Sequence, residues 1–482
     1  MSFESRRLHL LGIALVFLKT LKDLFLPLLL FLVSQVFQRG YSPFWLLTGG
    51  VGVSLLLLTW GFLSWYRFIY YVKDGALIVE QGVLAQKRSI IPRTRIQAID
   101  LNQGILHRLF NIVSVRVETA GGNKPEATLV AVSRHDANAL RHALTVYEHK
   151  EGEYEEARGV SKTLSFRELF MFGATSGGAL GLVLSIFSGA WALLDDVGLE
   201  LDWLLYFSWV GERINPVFLI ILVIFILWLL ATLGVIFKYG RFTVSRHGNR
   251  IQMTYGLLQR TQVSIPVRRI QAVRMVEGIL RQPLGYFTIQ LENAGYGMQS
   301  AEKAILWPLA RPKELIFILQ EFLPEFNLEA SLETTLETTL HNTLHTSLER
   351  LPQIARRRYA LRSFFPVFLV SLPVFIWLPW GKFAVILPFL GVLWGLWKFH
   401  DAGWILKENM LVLRCRSFAR TTVIVPSGSI QSFAVGSNPF QRRADLVSFS
   451  LELASKSHFG LADIPVSVGI KLIGWLRKDK RK

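Results

Sequence analysis

Three long stretches of this sequence contain no charged residue. They run from Phe44 to Tyr66, from Leu169 to Leu194 and from Val217 to Phe237, and they are 23, 26 and 21 residues long. About 20 apolar residues are enough for a helix to cross the hydrocarbon core of a bilayer. We therefore predict that all three cross a membrane. A formal net charge of +18 in a chain that is 51% hydrophobic argues against an ordinary soluble enzyme.

Two further apolar regions complete a set of paired spans. The first region contains Lys19, Lys22 and Asp23. Either Lys19 and Asp23 pair within the membrane, or residues 8–20 lie along its cytoplasmic surface, which is favoured because charge is costly in hydrocarbon. Residues 363–397 predict a tight hairpin, with a re-entrant loop as the alternative. The sequence therefore predicts six transmembrane helices, in hairpins at 8–66, 165–237 and 363–397.

The charges of the short loops predict the orientation of these hairpins. The loops on one side contain mostly aspartate and glutamate, whereas nearly all lysine and arginine, including both ends of the chain, fall on the other. Basic loops stay in the cytoplasm. We expect a protein of the bacterial cytoplasmic (inner) membrane with both termini in the cytosol.

A motif that occurs three times divides the rest of the chain. Ile91–Ile99 reads Ile-Pro-Arg-Thr-Arg-Ile-Gln-Ala-Ile, and it recurs at Ile265–Val273 and more faintly at Val425–Phe433. The alignment continues without a gap for about 20 residues beyond the motif. Such internal repetition indicates copies of one structural unit. We predict three modules, at 67–150, 238–323 and 398–482, each preceded by a membrane hairpin and all facing the cytosol.

Each module is predicted to consist mostly of β-strands. Ala76–Gln81, Arg95–Leu101 and Ile112–Thr119 alternate apolar and polar residues. A helical pattern ends each copy, at 133–147, 311–322 and 466–478. Short, evenly spaced strands must close or pack together to cover their edges. The expected fold class is a membrane protein of α and β structure, in which each module is an antiparallel β-barrel or sandwich capped by a C-terminal helix.

These residues resemble a known family. The stretch from Trp65 to Gly122, with its Ile-Pro-x-x-Arg-Ile-Gln, Gly-Ile-Leu and Glu-x-Ala-Gly elements, is similar to the membrane-flanked bacterial pleckstrin-homology-like (PH-like) domain. Three copies behind three hairpins resemble the YdbT-type membrane proteins. The resemblance implies a curved antiparallel barrel capped by a helix, and a smaller companion membrane protein with a single PH-like domain. The third copy departs from the pattern, because Ser427 and Ser429 replace Arg93 and Arg95.

The positive charge is concentrated in the modules, which carry net charges of +5, +7 and +8. Anionic lipids of the cytoplasmic leaflet attract such segments. Arginines that flank the Ile-Pro element are the candidate contacts with a lipid headgroup or a partner: Arg88, Arg93, Arg95, Arg260, Arg268 and Arg269. Solvated faces that merely follow the positive-inside rule are the alternative. Arg95 and Arg269 occupy matching positions and are the better candidates.

Two polar positions recur in every copy. They are Gln97, Gln271 and Gln431, and Glu118, Glu292 and Glu452. We expect them to make structural hydrogen bonds or partner-strand contacts, because repetition within one chain indicates a shared fold rather than a site. Their recurrence predicts no chemistry.

Catalytic and metal-binding motifs are not found in the sequence. It has no phosphate-binding Gly-rich loop with lysine, no nucleophile elbow, no His-Glu-x-x-His motif and only one cysteine. We expect no enzyme activity, no cofactor and no metal. Nucleic acid is not an expected partner, because no basic groove interleaved with aromatic residues is present.

Residues 324–358 form a linker in which leucine recurs at every fourth position from Leu328 to Leu348. A period of four winds slowly around a helix of 3.6 residues per turn. The linker is either a marginal amphipathic helix or disordered. His341 and His345 stand four residues apart in it, but without a third ligand we assign no metal.

The leading hypothesis is a scaffold that presents three PH-like modules for assembly with one another, with the companion protein or with anionic headgroups. Oligomer formation by this chain is a further expectation. The alternative is a component of a transporter or export system that moves a lipid or peptide, for which Lys19 and Asp23 are the only support in the sequence. A transporter is expected to place polar groups at the middle of the membrane, and the uncharged spans favour the scaffold.

Overall fold

A computed structural model describes residues 3–13, 52, 55, 58–119, 126–145, 160–177, 216–293, 304–326, 348–377, 381–407 and 409–479. The chain divides into two compact units. Unit 1 comprises Met1–Arg158 with Gln252–Ser264, and unit 2 comprises Gly159–Ile251 with Ile265–Lys482.

The order of strands and helices repeats three times. The first copy consists of β1 (Phe3–Arg7), β2 (Ile69–Lys73), β3 (Ala76–Gln81), β4 (Lys87–Pro92), β5 (Ile96–Gln103), α1 (Ile105–Leu109), β6 (Ile112–Thr119), β7 (Ala127–Ser133) and α2 (Arg134–Thr145). The second consists of β8 (Ser161–Thr163), α3 (Phe166–Ala174), α4 (Pro216–Tyr239), β9 (Thr243–His247), β10 (Arg250–Tyr255), β11 (Arg260–Pro266), β12 (Ile270–Glu277), β13 (Phe287–Asn293), β14 (Ala304–Ala310) and α5 (Pro312–Phe322).

The third copy consists of β15 (Glu349–Arg350), α6 (Gln353–Trp377), α7 (Ile386–Asp401), β16 (Gly403–Lys407), β17 (Met410–Arg416), β18 (Arg420–Pro426), β19 (Ile430–Gly436), α8 (Pro439–Arg442), β20 (Leu446–Leu453), β21 (His458–Pro465) and α9 (Val466–Asp479). A 3₁₀ turn directly follows the motif proline in every copy, at Arg93–Arg95, Val267–Arg269 and Ser427–Ser429. The predicted strands and the three closing helices are confirmed to within two residues at nearly every boundary.

The first module packs its core between two sheets and a helix. Strands β1 to β4 form one antiparallel sheet, and β5, β6 and β7 pair antiparallel in another. Leu77, Val115, Leu129 and Leu140 are fully buried in one cluster. Alternation along β6 directs Val115 inward, and the apolar face of α2 directs Leu140 inward, as expected for strand and helix periodicity.

A seven-stranded antiparallel sheet is the main element of unit 2. Its strand order is β14-β13-β12-β18-β17-β16-β15, and a separate three-stranded sheet has the order β19-β20-β21. Trp404 of β16, Phe449 of β20 and Leu472 of α9 meet in the core of the third module. Because β12 to β14 belong to the second copy and β15 to β18 to the third, the seven-stranded sheet joins strands of both copies.

The strand pairing differs from the expected closed barrel. Among the residues that the structure describes, no sheet closes on itself, because the fourth strand of one copy pairs with the fifth strand of the copy before it. An edge that is covered by a neighbouring module does not need to be covered by closure.

In each copy a short strand that precedes the predicted hairpin pairs with the first strand that follows it. Arg7 of β1 stands opposite Ile69 of β2, Ser161 of β8 opposite Ser245 of β9, and Glu349 of β15 opposite Trp404 of β16. The sequence interpretation placed the modules wholly after the hairpins. Strands of two to five residues are too short for a readable alternation, so the strand that precedes each predicted hairpin was not visible in the sequence.

Among the residues that the structure describes, three helical segments are long and apolar enough to cross a membrane: Ile221–Tyr239, Gln353–Ile376 and Gly381–Asp401. In the last pair, Gly391 and Gly395 face the α6 backbone so closely that a Cβ atom would lie 2.9 Å from the Ser363 oxygen and 2.4 Å from the Tyr359 oxygen. Small residues four apart permit this kind of helix contact. Residues 363–397 thus form a pair of helices, and α6 begins ten residues earlier than hydropathy suggested because its first turns are basic.

Several predictions fall outside the described residues. They concern Lys19, Lys22 and Asp23, most of the predicted spans at 8–66 and 169–194, and the leucine positions between 327 and 347. The predicted number of six spans is therefore tested only in part.

Candidate functional site

The junction between the second and third copies is a strand pair within unit 2. Strands β12 and β18 run antiparallel, with Val273 opposite Ile424 and Glu277 opposite Arg420. Nearly every residue of β18 is buried. Because backbone hydrogen bonds of a sheet continue across this junction, the second half of one module and the first half of the next form one continuous element.

A buried polar cluster closes the end of this junction. Arg420 donates from Nε to a Glu277 carboxylate oxygen at 3.0 Å, and a second guanidinium nitrogen bonds the other oxygen. Asp401, at the end of α7, lies 3.6 Å from Arg420 and also pairs with Arg416. Arg416 in turn bonds the side chain of Gln282. Removing one partner from a buried ion pair typically costs about 3–5 kcal/mol, so this cluster fixes the alignment of the two modules.

Burial affects the basic groups here. Desolvation lowers the pKa of Arg414 to about 10, with a smaller lowering by the neighbouring Arg420. Its Nε donates to the Thr422 hydroxyl at 3.0 Å. The guanidinium is thus held inside the protein and is not a surface charge that lipid could neutralise.

Unit 1 contains a strand pair with the same register. Arg260 of β11 stands opposite Gln103 of β5, and Gln262 stands opposite Leu101. Arg260 and Arg420 each lie six residues before the proline of the motif. Gln103 and Glu277 each lie seven residues after the isoleucine that precedes the motif glutamine, which is Ile96 or Ile270. The same type of junction is therefore used twice in the chain.

The recurring glutamine and glutamate contact another module in the second copy. The Gln271 side-chain oxygen accepts a hydrogen bond from the Ser455 backbone N–H at 2.9 Å, and Glu292 accepts one from the Ser457 hydroxyl at 2.7 Å. Both serines lie in the turn between β20 and β21. Glu292 also lies 3.6 Å from Arg274. In the second copy, these two side chains therefore bond to the third copy and support the strand pair between the copies, instead of making hydrogen bonds within one barrel.

The equivalent residues elsewhere are placed differently. Glu452 accepts from the Ser432 hydroxyl at 3.1 Å and remains 38% exposed. Gln431 is also exposed. Gln97 and Glu118 lie on β5 and β6, and their side chains are outside the described part of the structure.

Two buried polar groups attach modules to their hairpins. Arg281 donates to the Phe172 carbonyl of α3 at 2.9 Å and to the Thr175 hydroxyl at 3.0 Å, and burial lowers its pKa to about 10. Asp463, which is fully buried, accepts from Arg362 of α6 at 2.9 Å and from Gln441 at 2.8 Å. Each of these groups thus joins its module to a helix of the preceding predicted hairpin.

The six predicted arginines are distributed along the modules. Arg88 lies 3.3 Å from Glu80, and Arg93 donates to the Leu144 carbonyl at the end of α2 at 2.8 Å. Arg95 and Arg268 are exposed in their 3₁₀ turns, Arg269 is half-buried, and Arg260 is exposed on β11. Arg93 therefore helps to cap a helix, which favours a cation near the carboxyl end.

A basic cleft that the sequence interpretation missed lies at the base of the third hairpin. It is lined by Arg350, Arg356, His400, Leu396 and Phe399, among others. Apolar residues from α7 and cations from β15 and α6 meet there. The signal that could have found it was the Arg356-Arg-Arg run directly before an apolar stretch.

The turn between β17 and β18 also approaches a candidate membrane-spanning helix. Phe418 is 80% exposed, and its ring centroid lies 5.8 Å from that of Trp394 in α7. Leu84 and Leu258 occupy the corresponding turns and are 89% and 47% exposed. The turns between the third and fourth strands of all three copies therefore expose an apolar side chain.

Glu277, Arg420, Asp401, Arg281 and Asp463 were also missed. Matching arginines at 260 and 420 were a readable signal, but their partners come from distant strands. Among the described residues, no group of three histidine, cysteine, aspartate or glutamate side chains could hold a metal ion.

Comparison with known proteins gives two matches. The family described as "Bacterial PH domain" matches residues 13–146, 197–323 and 366–480. A relative from Bacillus subtilis, named UPF0699 transmembrane protein YdbT, is 29% identical over 95% of this chain and 94% of its own length. Three matched segments agree with the three copies found in the sequence and in the structure.

Proposed function

The chain belongs to the bacterial PH domain family, with three copies of the domain, and on that premise we propose that it is a non-enzymatic scaffold of the bacterial cytoplasmic membrane. Its hairpins hold PH-like modules on the cytosolic face, with both termini in the cytosol. The modules assemble with further PH-domain membrane proteins and rest on anionic headgroups.

The observation that carries this proposal is the junction of β12 with β18. A continuous sheet and a buried ion-pair cluster hold two modules in one fixed alignment. A fixed array is suited to presenting several binding surfaces at set spacings. Attachment to membrane hairpins confines these surfaces to two dimensions and raises their effective concentration.

Contact with anionic lipid is supported by three features. The modules have a large positive net charge. The basic cleft at the base of the third hairpin combines cations with apolar side chains, and one of the exposed apolar turns contacts α7. Each lysine or arginine close to an anionic membrane surface contributes about 1 kcal/mol of attraction.

The lipid contact is tested with the full chain in nanodiscs of phosphatidylcholine with or without phosphatidylglycerol. We expect hydrogen exchange in the 3₁₀ turns to slow when phosphatidylglycerol is present, and to recover at high salt because screening weakens the attraction. Arg95→Glu with Arg269→Glu should abolish the slowing. Arg95→Lys with Arg269→Lys is the matched control and should retain it; equal slowing in both double variants would remove these arginines from the proposal.

A smaller membrane protein with a single PH-like domain is the proposed companion. Affinity purification of the tagged chain from native membranes should recover such a protein. Repeated recovery of the chain without it would count against the companion while leaving the lipid contact untouched.

A further inference from the structure

Each complete junction in this chain needs two different strand edges. One is the fifth strand of a module, such as β12, and the other is the fourth strand of the following module, such as β18. The fifth strand of the first module pairs in the same register with β11. In a series of three modules, one edge of each kind is then left over.

The two remaining edges are β4 and β19. Strand β4 ends the four-stranded sheet of the first module, and β19 ends the three-stranded sheet of the third. Within the part of the chain that the structure describes, β4 has only β3 as a strand neighbour and β19 has only β20. Exposed edges of this kind are templates for pairing with another chain.

Burial along these strands differs from that of their paired equivalents. Ile424 of β18 is fully buried, whereas Ile90 at the matching position of β4 is 55% exposed. Val273 of β12 is also fully buried, and the matching Phe433 of β19 is half-buried. Both edges therefore expose apolar side chains that the internal junction covers.

We propose that β19 of one chain pairs antiparallel with β4 of a second copy of this chain. In the register of the internal junctions, Phe433 stands opposite Ile90, Val435 opposite Arg88, and Ser437 opposite Gln86. This inference rests on the proposed scaffold function and names one partner of it. Since the contact is head to tail, each copy can bind a further copy at its other open edge, so the pairing generates either closed rings or open-ended arrays.

The chemistry of the two edges is compatible with this pairing. Ser437 and Gln86 occupy the positions of Glu277 and Arg420, so no unpaired charge is buried where the internal junction has its ion pair. Arg88 is already within 3.3 Å of Glu80. Glu452, which matches the Glu292 that contacts the next module, is 38% exposed beside β19. The second copy is favoured because the two open edges are the two halves of a junction that this chain already uses twice.

The register is tested by disulfide crosslinking in native membranes. Two full-length chains with different tags are co-expressed after Cys415→Ala, one with Val435→Cys and the other with Arg88→Cys. Mild oxidation should give a dimer that carries both tags. Ala434→Cys with Arg88→Cys is the matched control, because a shift of one residue turns the side chain to the other face of the sheet. Absence of a dimer with both tags, or equal yield for positions 434 and 435, overturns the proposal.

A mass measurement gives an independent test. Single-particle mass measurement of the full chain in native nanodiscs should detect multiples of one chain. Val435→Arg, which would face Arg88 across the junction, should reduce these to single chains, whereas Val435→Thr should not. If the 435 cysteine instead crosslinks to a smaller protein, the second-copy assignment fails and the companion gains support. Loss of lipid-dependent protection with intact crosslinking would weaken the lipid role alone.

Discussion

Arg420 is the clearest example at the scale of single residues. In a basic membrane protein most arginines are expected to face water or headgroups, yet this one is buried between Glu277 and Asp401. Its role is to stabilise the junction between the second and third modules. The net charge of the sequence therefore overestimates the positive charge that is available at the surface to anionic lipid headgroups.

Glu277→Gln should lower the stability of the full chain. The substitution leaves Arg420 buried with less compensation, and we expect a loss of about 3 kcal/mol, measured as a lower midpoint of thermal unfolding in detergent. Glu325→Gln is the control, because Glu325 is 47% exposed and pairs with Arg246 at 3.0 Å at the surface. A surface pair contributes about 1 kcal/mol or less; equal effects of the two substitutions would contradict a structural role for the cluster.

At the scale of strands, equivalent sequences have different environments. Strands β12 and β19 follow the same motif, but β12 is covered on both sides and β19 on one. The difference comes from position in the series of modules. An element of this repeat is therefore defined by its neighbours as much as by its own residues.

Arginine at matching positions of these strands should destabilise the fold to different extents. Met275→Arg places a charge at a residue that is 4% exposed, and burying an unpaired charge is severely destabilising. Val435 lies on the open edge but is half-buried against the core of its own module, so we expect Val435→Arg to destabilise the protein clearly less than Met275→Arg. Thermal unfolding in detergent compares the two; similar destabilisation would mean that β19 is already covered within one chain.

At the scale of the whole molecule, alternation of hairpins and modules constrains topology. In each copy a strand before the predicted hairpin pairs with the first strand after it, so a hairpin between them is expected to have both ends on the same side of the membrane. All three modules are then expected in one compartment.

Single cysteines at Arg95, Arg268 and Ser427, introduced after Cys415→Ala, should test this topology. A membrane-impermeant thiol reagent should label all three in inside-out vesicles and none in intact spheroplasts. Labelling of any one of them from the opposite side would refute a common cytosolic face.

Local patterns in the sequence determined much of this protein. Uncharged runs predicted α4, alternation predicted β6 with its boundaries, and repetition of the Ile-Pro motif predicted three copies. Hydropathy and periodicity are properties of neighbouring residues, so a single chain displays them without a structure. The six arginines around the motif were readable in the same way, but the roles of those such as Arg93 were not.

Tertiary structure alone decided which strands meet. Nothing in the residues of β18 specifies that it pairs with β12 of the preceding copy, nor that Asp401 from a membrane hairpin joins Glu277 beside Arg420. Backbone hydrogen bonding is nearly independent of side-chain identity, and the choice among similar edges depends on the packing of all modules at once. The junction and its buried charges therefore follow from the folded arrangement, while the modules that it connects follow from the sequence.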